Sequence, residues 1–315
     1  MNPKYKILFI DTMHPLLQKE LTRLGYKCID GTKFSREKVK SIIHEYFGVA
    51  IRSRIFLDKE ILQKATHLRF IARAGAGMES IDVTFAKQKG IICINSPEGN
   101  RDAVAEHALG MLLCLFNNIN KADKEVREGK WIREENRGTE LQGKTVGIIG
   151  YGNMGSAFAK RLQGFGVKVL AYDKYKREYG NQGVKEVGLN EIFKRTDVLS
   201  LHVPLTEETD YMMNDKFLNK FKKKIYVINT ARGKIINTND LVKNLKSGKV
   251  LGACLDVLEY EDTSFEKFKI SPSLNYLTQS NKVILTPHIA GWTFESNEKI
   301  AKVLVGKIKQ NRKLF

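Results

Sequence analysis

The stretch TVGIIGYGNMGSAFAKRL at residues 145–162, with KVLAYD following at 168–173, decides how this chain is read. An apolar, β-branched run ends at Gly150, then Gly152 and Gly155 complete a G-x-G-x-x-G spacing, and a helical pattern opens directly behind them. Each glycine has a physical task. The first permits a tight turn, the second lets backbone approach a pyrophosphate, and the third allows helix and strand to touch, with N–H groups of the helix start facing the anion. Gly150, Gly152, Asn153, Met154 and Gly155 are thus the expected phosphate cradle. A glycine-rich strand-to-helix turn alone binds nothing in particular. Here the next strand closes on Asp173, about 20 residues beyond the glycines, where a carboxylate reaches the adenosine ribose hydroxyls. That acid also repels a 2′-phosphate, so the sequence predicts NAD rather than NADP, with Lys174, Lys176 and Arg177 as an opposing local charge.

Working outward, the same β-then-α alternation recurs on both sides. Towards the N-terminus, KILFID at 6–11, GVAIRS at 48–53, LRFIAR at 68–73 and IICINS at 91–96 read as buried strands. The amphipathic segments between them stop at glycine, as helices do. Towards the C-terminus the series continues through DVLSLHVP at 197–204, KIYVINTA at 224–231, LGACLDV at 251–257 and KVILTPH at 282–288. Between the two series Val104, Ala108, Met111, Leu115 and Ile119 mark one stripe of a long helix that reads as an interdomain connector. The last segment, Phe294 to Ile308, is helical and too short to found a third domain, so it is expected to return to the first. The predicted class is α/β, with two doubly wound parallel-sheet domains and a cleft between them. The predicted boundaries are 1–99 plus 290–315 for the first domain and 100–289 for the second.

Composition narrows the setting. The chain has 315 residues and a formal charge of +18, a field that concentrates any anion, from nucleic acid to a small acid. Its lysines are scattered, and the densest run, Lys222 to Lys224, precedes a strand, which fits a solvated surface better than a nucleic-acid patch. Cys28, Cys93, Cys114 and Cys254 lie apart in apolar stretches with no zinc or disulfide spacing. The first residues read as a strand rather than a signal peptide, and no apolar run reaches membrane-spanning length. A cytoplasmic setting is expected, with neither membrane nor nucleic acid as partner.

Three polar residues stand at strand ends or in the loops after them: Arg232 in INTARG, Glu261 in LDVLEYED and His288 in LTPHIAG. Carboxyl ends of parallel strands converge on one edge, so the three are expected to meet there. Reduction of a 2-keto acid needs a cation for its carboxylate and carbonyl oxygen and a proton donor for the alkoxide. Arg232 and His288 supply these, and Glu261 favours the protonated imidazole. Singly, each has a plainer explanation: a surface ion pair, one acid of an exposed run, a satisfied histidine beside Pro287.

In their order and contexts these residues resemble the D-isomer-specific 2-hydroxyacid dehydrogenase family over nearly the whole chain. The resemblance implies two Rossmann-like domains, the active site in the cleft between them, a homodimer, and catalytic roles for Arg232, Glu261 and His288. PEGNRDAVAEHALG matches the family's interdomain helix. By the same likeness Ala76, Gly77 and Asn100 hold the substrate carboxylate, while His202, Val203, Pro204, Thr209, Thr230, Ala231, Asp256 and Gly291 line the nicotinamide side. Two positions depart from the family: Asp262 stands where proline commonly follows the glutamate, which would loosen that loop, and Trp292 replaces a smaller residue, which would narrow the cleft.

Arg52, Ser53 and Arg54, with Arg73, resemble the phosphate-holding residues of D-3-phosphoglycerate dehydrogenases. The expected reaction is then D-3-phosphoglycerate to 3-phosphohydroxypyruvate in serine biosynthesis, by a short form lacking a C-terminal regulatory domain. A glyoxylate, hydroxypyruvate or general 2-keto acid reductase is the alternative enzyme. An NADH-sensing, corepressor-like binding protein is the alternative of another class, because corepressors share this architecture.

Overall fold

The computed structural model describes residues 5–261 and 271–315. Two compact units emerge, Met1–Asn100 with Trp292–Phe315 as the first and Arg101–Gly291 as the second.

In the first unit, β1 (Lys6–Phe9), β2 (Lys27–Asp30), β3 (Gly48–Ile51), β4 (Phe70–Arg73) and β5 (Ile92–Ile94) form a sheet in the order β2-β1-β3-β4-β5. Every neighbouring pair is parallel. Side chains alternate across a strand, so Ile7 and Phe9 enter one buried cluster while Leu8 and Ile10 enter the other. Both faces are covered, which is why these strands are apolar throughout. Helix Phe294–Asn311 supplies part of the cover, with Ile300, Leu304 and Ile308 packed among Ile7, Phe9 and Phe70. Each such buried aliphatic side chain contributes about 1.5–3 kcal/mol of hydrophobic stabilisation.

In the second unit, β6 (Thr145–Ile149), β7 (Lys168–Tyr172), β8 (Lys185–Glu186), β9 (Val198–Leu201), β10 (Ile225–Asn229), β11 (Val250–Leu255) and β12 (Val283–Leu285) form a parallel sheet in the order β12-β11-β10-β9-β6-β7-β8. Strand order reverses around β6. Beside its carboxyl end lies the switch point at which open α/β sheets take ligands.

The α/β class and the parallel sheets agree with the pattern in the sequence, but three details differ. Strands β2 and β8 lie at sheet edges; β2 carries no fully buried residue and β8 has two residues, so neither leaves a continuous apolar run. Helix Pro97–Phe116 stops before Ile119, because Asn118 turns into the left-handed region at φ 52° and a new helix, Ile119–Arg127, begins. Ile119 is 48% exposed and does not belong to the buried stripe. Asp262 lies outside the described residues. No described helix is long and apolar enough to cross a membrane.

Candidate active site

The glycine loop fits the job that its spacing predicts. Gly150 sits at φ 93°, and a Cβ there would fall 2.4 Å from the carbonyl oxygen of His202. A Cβ at Gly155 would lie 2.0 Å from the oxygen of Gly150. Gly152 is different: nothing lies within 4 Å of the place its Cβ would take. The helix that starts here, Asn153–Arg161, has no side-chain cap on its N-terminal N–H groups. An anion seated on Gly152, Asn153, Met154 and Gly155 would cap them.

Asp173, just past β7, folds back on this loop. Its Oδ2 accepts from the Tyr151 N–H at 2.8 Å, and its Oδ1 accepts from Tyr175 and Lys176 N–H at 2.9 and 3.0 Å. Burial works against its ionisation, but these backbone donors and the Lys176 ammonium outweigh it and hold the carboxyl below the usual range. The three following cations are engaged elsewhere. Lys174 pairs with Glu208 at 2.6 Å, Lys176 Nζ donates to Tyr151 O, and Arg177 donates to the carbonyls of Asp173, Lys174 and Lys176.

The walls beyond the cradle come from the ends of β9 and β10. His202 bonds Ser200 Oγ through Nε2 at 2.8 Å and packs on Phe158; burial pushes its pKa down to about 4. Val203 and Pro204 follow, and Thr209 closes their loop by donating to Pro204 O at 2.6 Å. After β10, Thr230 has a buried Oγ1 without a hydrogen-bond partner among the described residues, and Ala231 N donates to Asn229 Oδ1 at 3.0 Å. A buried hydroxyl placed so would suit a polar ligand such as a nucleotide cofactor. A pyrophosphate, a ribose diol and a carboxamide would find complementary groups on these elements.

Three of the expected catalytic residues belong to neighbouring strand ends. Arg232 follows β10, its Nη1 on Ala231 O at 2.6 Å and its own carbonyl held by Asn229 Nδ2 at 2.9 Å. The next residue, Gly233, lets this loop press on the one after β11: a Cβ there would fall 2.0 Å from the Leu258 carbonyl. That second loop carries Glu261, whose Oε1 accepts from the Leu258 N–H and whose Oε2 lies 2.7 Å from His288 Nδ1. Of the nearby acids, Glu259 instead takes the Thr238 N–H.

His288 occupies the left-handed region at φ 56°, which costs a side-chain-bearing residue about 1–2 kcal/mol. Asp256, only 1% exposed, holds that turn in place. Its Oδ1 accepts from Thr286 Oγ1 and the Ile289 N–H at 2.6 and 2.8 Å, its Oδ2 from the Ala290 N–H at 2.9 Å, and its carbonyl from the His288 N–H at 2.8 Å. The chain extends to His107, whose Nε2 lies 3.0 Å from Thr286 Oγ1. Gly291 ends the segment.

In the first unit, Arg52 and Ser53 follow β3, Arg73 ends β4 with Ala76 and Gly77 just beyond it, and Asn100 lies in the first turn of helix Pro97–Phe116. Arg52 donates its backbone N–H to Asp11 Oδ2 at 2.6 Å, and half-buried Ser53 follows. Arg73 ends β4 with its guanidinium over Gly75. Gly77 follows Ala76, whose carbonyl takes a bond from Asn95 Nδ2 at 2.7 Å, and Asn100 has a buried Oδ1 with no partner among the described residues. Arg54 departs from expectation. Its donors go to the carbonyls of Ile10, Gly31 and Phe34, so it braces the sheet edge instead of facing a phosphate.

Residues 109–290 match the family described as D-isomer specific 2-hydroxyacid dehydrogenase, NAD binding domain. The chain belongs to that family. Its NAD-binding domain takes in the glycine loop, Asp173, Arg232, Glu261 and His288. Among similar proteins, the hydroxypyruvate reductase of Thermotoga maritima is 39% identical over 296 residues, covering 93% of this chain and 94% of that one. The D-3-phosphoglycerate dehydrogenase of Archaeoglobus fulgidus is 38% identical over 88% of this chain but 51% of its own, so the chain spans about half the length of that relative. Among solved structures, the D-lactate dehydrogenase of Aquifex aeolicus, complexed with NAD and lactic acid, matches with a TM-score of 0.82 at 31% identity, over 98% of this chain and 95% of that one.

For this dehydrogenase-family chain, sequence reasoning missed three supporting residues. Asp11 stands at the end of β1 as Asp173 does at the end of β7, a signal that was readable. His107 and Gly233 had none: a histidine on a helix and a glycine after a strand acquire meaning only from what packs against them.

Proposed function

We propose that the chain is an NAD-dependent oxidoreductase acting at C2 of a small 2-hydroxy or 2-keto acid. When bound, the cofactor gives or takes the hydride. The chain's own residues do the rest. Arg232 holds the acid's carboxylate and draws charge from its carbonyl oxygen, His288 passes a proton to or from that oxygen, and Glu261 orients the imidazole. The observation that carries this reading is the 2.7 Å contact between His288 and Glu261, on a loop that Gly233 presses against Arg232.

Asp173 supports NAD over NADP, since its carboxylate faces the glycine loop and the cations that would welcome a 2′-phosphate are engaged locally. Substitution by alanine is expected to weaken NADH more than NADPH. For the substrate we favour 3-phosphohydroxypyruvate and D-3-phosphoglycerate, with Arg52, Ser53 and Arg73 on the phosphate, and Ala76, Gly77 and Asn100 near the carboxylate. This would place the protein in serine biosynthesis, in the cytoplasm, as a homodimer. Hydroxypyruvate or glyoxylate reduction is the second reading, favoured by the near-complete length match to the Thermotoga relative. Steady-state NADH oxidation with 3-phosphohydroxypyruvate, hydroxypyruvate, glyoxylate and pyruvate tests both. The highest kcat/KM names the substrate, and absence of turnover on every acid would overturn the enzymatic reading.

A further inference from the structure

Arg52 is held in a way no other arginine beside it is. Its backbone is fixed from two sides, the N–H on Asp11 and the carbonyl accepting from Ser80 Oγ at 2.9 Å. Its guanidinium carbon sits over the indole of Trp292, 3.8 Å from the ring centroid. Among the described residues it makes no side-chain hydrogen bond and no ion pair, whereas Arg54 uses its donors on backbone carbonyls and Arg36 on Asp58 and Glu60. Trp292 itself is 60% exposed, a large apolar surface left in water. Its backbone is fixed because the next residue, Thr293, caps helix Phe294–Asn311 in a reciprocal pair with Ser296.

A cation positioned by a ring face keeps its in-plane N–H groups for a ligand, and a planar fork suits the two oxygens of an oxyanion. Partial burial disfavours the charged guanidinium, and the field of the Asp11 carboxylate, which Arg54 Nε also approaches at 3.6 Å, opposes that cost. We propose that Trp292 is a specificity-determining residue: it holds the Arg52 guanidinium over its ring face with the donors unused, so that the first unit selects acids bearing a second oxyanion beyond the C1 carboxylate. This rests on the proposed 2-keto acid chemistry and names the substrate class within it. The position was read from the sequence only as a bulkier side chain; the stacking gives it a task.

The test uses the whole chain with three acids: 3-phosphohydroxypyruvate, oxaloacetate and hydroxypyruvate, whose C3 groups are a phosphate, a carboxylate and an uncharged hydroxyl. Trp292→Ala is expected to raise KM for the doubly anionic acid by between about two- and thirty-fold, the range of one cation–π contact, relative to the change seen with hydroxypyruvate. Trp292→Phe, which keeps a ring face, should recover most of that loss. The phosphate and carboxylate arms tell which oxyanion is taken. A second readout needs no turnover. The chain has two tryptophans, so Trp131→Phe leaves the Trp292 indole as sole reporter. Its fluorescence should respond saturably to 3-phosphoglycerate or malate, and the response should vanish with Arg52→Ala. Equal KM changes for all three acids, or an indole blind to both anions, would overturn the proposal while leaving the enzymatic reading intact. Failure of turnover with a saturable indole response would do the reverse.

Discussion

His288 Nδ1 lies 2.7 Å from Glu261 Oε2, although the two residues are 27 positions apart and belong to loops after different strands. The contact assigns one ring nitrogen to the carboxylate, and the proposed proton donor to substrate is the other, Nε2. His288→Ala is expected to lower kcat by about 10²–10⁴ with NADH binding retained. Glu261→Gln should cost less. The measurements are steady-state rates and an NADH titration; an unchanged kcat in Glu261→Gln would remove the residue from the mechanism.

Asp256 is expected to matter through position. Its carboxylate serves two backbone N–H groups and one hydroxyl in the turn that carries His288. Asp256→Asn puts an NH₂ where one of those donors points, and hydrogen bonds to charged groups contribute about 1.5–3 kcal/mol each. Urea unfolding should show a loss of that order together with reduced kcat. Lost turnover at undiminished stability would argue for direct cofactor contact instead.

The glycine loop offers a pair of substitutions with opposite physical meaning. Gly155→Ala places a methyl 2.0 Å from a backbone oxygen, so the loop itself must move and thermal stability should fall. Gly152→Ala meets no atom of the described residues within 4 Å and should fold normally. It should still weaken NADH, because the methyl stands where the pyrophosphate is proposed to lie. Calorimetry of folding and of NADH binding separates the two; an unchanged NADH affinity in Gly152→Ala would relocate the pyrophosphate.

His202 predicts a pH dependence of stability. Burial lowers its pKa to about 4 in the fold, against about 6.5 in the unfolded chain. Between those values the unfolded chain takes up a proton that the native ring refuses. Stability from this group is therefore complete above pH 6.5 and declines as the pH falls, by about 2 kcal/mol between pH 7 and pH 5. Urea midpoints at the two pH values measure it, and His202→Asn should flatten the slope. A slope unaffected by that substitution would mean other groups set it.

The amino-acid sequence by itself determined the α/β class, because strands buried on both faces must be apolar throughout and helices beside them must be amphipathic. It also marked the glycine loop, whose spacing answers a backbone requirement, and Asp173 at a strand end. Edge strands β2 and β8 escaped because a strand with one solvated side needs no apolar run. Arg52 and Arg54 read alike, yet one sits over an indole about 240 residues away in sequence and the other braces three carbonyls. Tertiary structure alone decided such matters: which of two arginines keeps its donors, which of several acids meets His288, and what Gly233 touches. Local sequence sets what a residue can donate or accept, whereas its partner is fixed only when distant strand ends come to one edge of a sheet.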